Sequence, residues 1–80
     1  MKAVDLQVDT QGGVQDLGRV VNVLALYDLT PLTLRVEAEG DGLRMQMRLE
    51  AEEAACMRCI GRLDALPAIV AVRVLSAPVC

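Results

Sequence analysis

The chain has 80 residues, 54% hydrophobic and 24% charged, with eight Lys and Arg against eleven Asp and Glu for a formal net charge of −3. That is the length of one domain, read here as a single unit over 1–80, and the composition is too apolar for a disordered tail. With no His, Trp or Phe, one Tyr and basic residues scattered singly, the chain lacks the usual general base, the commonest metal ligand and a surface for bases or phosphates, so neither catalysis nor nucleic acid binding is expected.

Val4, Leu6 and Val8 alternate with Asp5, Gln7 and Asp9, the period of a strand with one buried and one wet face. Gln11-Gly12-Gly13 breaks that period. Val14, Leu17, Val21 and Leu24, with Val20 filling in, then recur at helical spacing and predict a helix from about Gly13 to Tyr27. Asp28-Leu29-Thr30-Pro31 stops it, because proline disfavours the α conformation in the residue before it and cannot itself continue the hydrogen-bond ladder. Leu32, Leu34, Val36 and Ala38 next alternate with Thr33, Arg35, Glu37 and Glu39. After Gly40-Asp41 the alternation resumes with Leu43, Met45, Met47 and Leu49 inward.

A two-residue turn, with glycine supplying positive φ, sets Glu39 opposite Gly42, Glu37 across from Arg44 and Val36 against Met45. Glu52-Glu53 opens a second helix where negative charge suits the dipole. Cys56, Cys59, Ile60, Leu63 and Leu66 follow at helical spacing until Pro67, and a last strand runs from about Ile69 to Leu75. The order β-α-β-β-α-β predicts an α+β, ferredoxin-like sandwich, a four-stranded antiparallel sheet with both helices on one face.

Three features of this plan could carry recognition. The loop holding Asp9, Gln11, Gly12 and Gly13 leads into the first helix, whose unpaired N–H groups favour a carboxylate; Asp9 or Gln11 could meet an ammonium on the same ligand, which describes a free amino acid. The plain alternative is a strand-to-helix turn made by glycines. On the outer side of the same helix, Val23 and Leu26 offer apolar surface for a protein contact, and so small a domain gains stability by forming a homodimer. Gly18 and Gly61, inside predicted helices, fit close approach of another backbone or a ligand, and poor optimisation explains them equally well.

Cys56 and Cys59 have the spacing of a redox or soft-metal pair, but they share the apolar row through Ile60, Leu63 and Leu66 and read as core; Cys80 could join them only if the tail folded back. Adjacent Glu52 and Glu53 point apart and make no acid–base pair. No metal and no cofactor is expected. An odd cysteine count argues for free thiols in a reducing, cytoplasmic setting, and no window approaches the roughly 18 apolar residues of a membrane span.

The strand Val4 to Val8, Leu17-Gly18-Arg19-Val20 continuing to Leu24, Leu32-Thr33-Leu34-Arg35-Val36, and Leu63-Asp64-Ala65-Leu66-Pro67 before a valine-rich strand together resemble an ACT domain over residues 3–76, in particular the short modules of the acetolactate synthase small-subunit type. At the Pro-Gly positions of that family's signature stand Val14 and Gln15, with Gly12 and Gly13 just upstream, and Thr30 takes the place of a frequent asparagine. The resemblance implies a dimeric, non-catalytic regulatory module that binds a small amino acid near Asp9, Gln11, Gly12 and Gly13 and controls a biosynthetic enzyme. Two alternatives remain open at this point: a metal or redox carrier using Cys56 and Cys59, and an oligomerisation domain without a ligand.

Overall fold

A computed structural model describes residues 2–76; Cys80 lies outside the described residues. Its elements are β1 (Lys2–Thr10), α1 (Val14–Leu26), β2 (Thr33–Glu39), β3 (Gly42–Ala51), α2 (Glu53–Asp64) and β4 (Ile69–Ser76), in the predicted succession. The sheet is antiparallel with the order β2-β3-β1-β4. The hairpin register is the one that cross-strand chemistry required, with Glu39 opposite Gly42, Glu37 opposite Arg44 and Val36 opposite Met45. Gly40 supplies the positive φ, 59°, at its turn.

One core joins both helices to one sheet face. Leu6 and Val8 of β1, Met45, Met47 and Leu49 of β3, Val20, Val23 and Leu24 of α1 and Cys59 and Leu63 of α2 form a single buried cluster. The even positions of β1 and the odd positions of β3 lie on the same side because the register pairs Leu6 with Met47 and Val8 with Met45. Helix α1 ends in a Schellman motif. Leu29 N–H donates to the Leu24 carbonyl (2.9 Å), Asp28 N–H to that of Ala25 (3.0 Å), and Asp28 takes the left-handed position at φ 54°.

Three expectations are corrected. The buried stripe of α1 is Val20, Val23 and Leu24 with half-buried Leu17 and Tyr27, whereas Val14 and Val21 are exposed. Val23, expected on the outer face as an interface residue, is therefore in this chain's own core at 3% exposure, while Leu26 stays exposed at 64%. The physical reason is that valines crowd two adjacent helical rows, and the row three and four residues apart through Val20, Val23, Leu24 and Tyr27 is the one that meets α2 and the sheet. Among the described residues, nothing outside its own helix comes within 4 Å of a would-be Cβ at Gly18 or Gly61. Finally, β2 does not bury its apolar row: all seven of its residues are exposed, because it is an edge strand over which neither helix closes.

Candidate functional site

The loop after β1 is held by its own side chains. Thr10, 6% exposed, donates from Oγ1 to the Gly12 carbonyl (3.1 Å) and accepts the Leu43 N–H (3.2 Å), which ties the end of β1 to the start of β3. Gln11 N–H donates to the Ala68 carbonyl (3.0 Å), tying the same loop to the turn before β4. No side chain of the N-cap residue Gly13 caps α1, and an acid three residues further on acts instead. Asp16 Oδ2 accepts the Gly12 N–H at 2.7 Å while its Oδ1 accepts from Arg19 at 3.0 Å. The bond reaches the residue before the N-cap, one short of a capping box, and sets a carboxylate against the positive end of the helix. Asp16 is only 4% exposed, and a Cβ at Gly12 would come within 2.5 Å of its Oδ2, so a larger residue there would make the carboxylate shift.

The four loop residues therefore have different surroundings. Gly12 gives its N–H to Asp16 and Gln11 gives its own to Ala68. Gly13 has open space above it, so a ligand can reach the backbone there. Asp9 lies on the helix-free face of the sheet, where its Oδ1 accepts from Arg44 Nε at 2.9 Å and its Oδ2 accepts from Gln7 at 3.4 Å. That bond to Asp9 raises the Arg44 pKa above its ordinary value, with Glu39 at 3.4 Å adding to it. Sequence reasoning did not find Asp16; the acid at the third helical position after a glycine pair was the available signal.

Two surface hollows lie elsewhere. A groove of about 350 Å³ runs between the end of α1 and the start of β2, lined by Val21, Leu24, Ala25, Leu29, Pro31 and Leu34. A trough of about 390 Å³ crosses the open sheet face between Asp5, Thr33, Arg35, Gln46 and Leu75.

Cys56 and Cys59 are buried in the core, at 3% and 0% exposure. Burial pushes both thiols up, Cys59 to about 11 with the neighbouring Cys56 adding to the effect, so the fold favours their protonated, uncharged form. Among the described residues no group of three or more His, Cys, Asp or Glu is placed to hold a metal ion.

A pH dependence follows from the raised thiol. Below about pH 9 the Cys59 thiol is neutral in both states; between about 9 and 11 it ionises in the unfolded chain and not in the folded one, so folding loses stability over that window. Urea midpoints measured from pH 8 to 11 should fall, and Cys59→Ala should flatten the fall. A slope unchanged in that variant would assign it to other groups.

No protein-family model and no curated protein matches this sequence. Solved structures match its fold. The ACT domain of GTP pyrophosphokinase from Chlorobium tepidum superimposes with a TM-score of 0.79 at 9% identity, over 94% of this chain and 100% of that one. The C-terminal domain of the MgtC protein from Mycobacterium tuberculosis gives a TM-score of 0.70 at 19% identity, over 96% of this chain and 87% of that one. A homoserine dehydrogenase from Thiobacillus denitrificans gives 0.75 at 15% identity, over 91% of this chain and 16% of that one. The chain thus has the fold of an ACT domain across nearly its whole length. Among the described residues no helix is long and apolar enough to cross a membrane.

Proposed function

We propose that this chain is a non-catalytic regulatory module that binds a small amino acid at the loop before α1 and controls a partner enzyme. The observation that carries the proposal is the match of the whole βαββαβ unit to an ACT domain carried by an enzyme, GTP pyrophosphokinase. The sequence resemblance to acetolactate synthase small-subunit modules supports a biosynthetic enzyme as the partner. At the loop, accessible Gly13 and the start of α1 offer backbone N–H groups to a ligand carboxylate, whereas Asp9, on the other sheet face, is engaged by Arg44 and Gln7. An acid of the chain, Asp16, already holds the Gly12 N–H, so a ligand carboxylate binds beside it or displaces it.

That same bond favours a second reading, an association module without a ligand, because the loop satisfies some of its own donors. A titration separates the two. With branched-chain and other amino acids added to millimolar concentration, amide NMR shifts are expected to move at residues 9–17. Spectra unchanged there remove the sensing reading and leave the association module.

A further inference from the structure

One register row crosses the whole helix-free face of the sheet. Arg35 of β2 is opposite Gln46 of β3, Gln46 is opposite Gln7 of β1, and Gln7 is opposite Arg73 of β4. Residues opposite each other in a ladder share a face, so these four form a line, Arg-Gln-Gln-Arg, on the side away from the helices. Its middle is joined by amides, with Gln46 Nε2 donating to Gln7 Oε1 at 3.3 Å and Gln7 Nε2 donating to Asp9 Oδ2 at 3.4 Å. Charges beside the line are matched within the sheet. Arg44, opposite Glu37, holds Asp9 at 2.9 Å and Glu39 at 3.4 Å, and Arg48 holds Asp5 at 3.5 Å. Arg35 and Arg73 are exposed, and neither guanidinium has an ion pair or hydrogen-bond partner among the described residues. A chain of net charge −3 thus keeps an unneutralised cation at each end of one row.

We infer that this face docks an extended acidic segment of a partner protein, laid across the strands so that two carboxylates four residues apart meet Arg35 and Arg73. Three inter-strand steps of about 4.8 Å set the ends of the row about 14 Å apart. In an extended chain, residues i and i+4 point the same way and stand about 13–14 Å apart, whereas adjacent acids point to opposite sides. The trough on this face runs in the same direction, with Thr33 and Arg35 at the β2 end, Gln46 and Asp5 between, and Leu75 at the β4 end. Guanidinium forks take carboxylates bidentately, Gln46 lies between them with amide groups suited to the segment's peptide bonds, and Leu75, 51% exposed, adds an apolar contact. Nucleic acid fits this face poorly. The single aromatic, Tyr27, packs against the core on the helix side, so no base can stack on the sheet, and the negative net charge repels a long polyanion.

The inference rests on the proposed function only in that a partner exists, and it concerns residues outside the loop before α1, so its failure and that of amino-acid sensing are read from different signals. The test is an NMR titration of the full chain with the end-blocked peptide Gly-Glu-Ser-Thr-Ser-Glu-Gly, and with the same residues rearranged so that the two glutamates are adjacent. The first peptide should shift the side-chain signals of Arg35, Gln46, Gln7 and Arg73 with a dissociation constant of about 1 mM or below, and should leave residues 11–17 unmoved. The rearranged peptide should bind about threefold more weakly. Arg35→Gln and Arg73→Gln should each weaken the first peptide by about threefold, the scale of one exposed ion pair. Arg62→Gln, which removes an exposed cation on α2, should leave its affinity unchanged. Circular dichroism checks that each variant stays folded, as expected for exposed positions. No shift at about 10 mM peptide, equal affinity for the two peptides, sheet variants that bind like the parent, or an equal loss in Arg62→Gln would each overturn the inference.

Discussion

Gly42→Ala is expected to destabilise the domain by about 3 kcal/mol or more, a large share of the roughly 4–12 kcal/mol that an 80-residue domain holds. Gly42 is buried at the start of β3, and a Cβ built there would collide with the backbone carbonyl oxygen of Thr10. A flexible side chain could turn away from such a contact; this carbonyl belongs to the end of β1, which Thr10 ties to β3 by accepting the Leu43 N–H at its Oγ1. The substitution must therefore push β1 and β3 apart or shift the loop that carries Gly12 and Gly13. The same chemical change at Gly18 should have the opposite sign. That glycine lies mid-helix with open space around it, so alanine there should stabilise by roughly 0.8–1 kcal/mol through helix propensity. Urea melts followed by circular dichroism measure both. A Gly42→Ala midpoint within error of the parent would show that the strands separate at little cost.

Leu63→Ala should cost about 3 kcal/mol, within the roughly 2–5 kcal/mol range of leucine truncations in packed cores. Helix α2 buries three side chains, Cys56, Cys59 and Leu63, and the two cysteines are small. Leu63, fully buried near the end of that helix, is its one large anchor in the shared core. The core contains no aromatic ring to spread into the space left behind, since Tyr27 is the single aromatic and is only partly buried. The loss should appear first as faster amide exchange along α2, then as a lower global midpoint. A change below about 1 kcal/mol would mean that α2 contributes little to the folded state.

Much of this arrangement was legible in the residues. The Gly40-Asp41 turn and the alternation on either side of it allow one hairpin register, and that register is present. The candidate site was legible only incompletely. Gly12 and Gly13 mark a loop into a helix, but Asp16 reads as one more polar residue on the helix, and its contact with Gly12 depends on how the chain turns between them. The β2 edge follows from the βαββαβ plan, which leaves the second strand with a single neighbour; the apolar spacing of Leu34 and Val36 alone does not say whether a helix covers them.

Element order, strand pairing and the two sheet faces were determined by the sequence alone, because period 2 and period 3.6 are properties of local backbone geometry that side-chain pattern records directly. Which valines of α1 are buried, whether the underside of β2 is covered, and where the carboxylate of Asp16 goes were decided only by the tertiary structure. Each of these depends on the position of an element distant in sequence or on the path of the chain between elements, and side chains of equal hydrophobicity carry no mark of which neighbour they will meet.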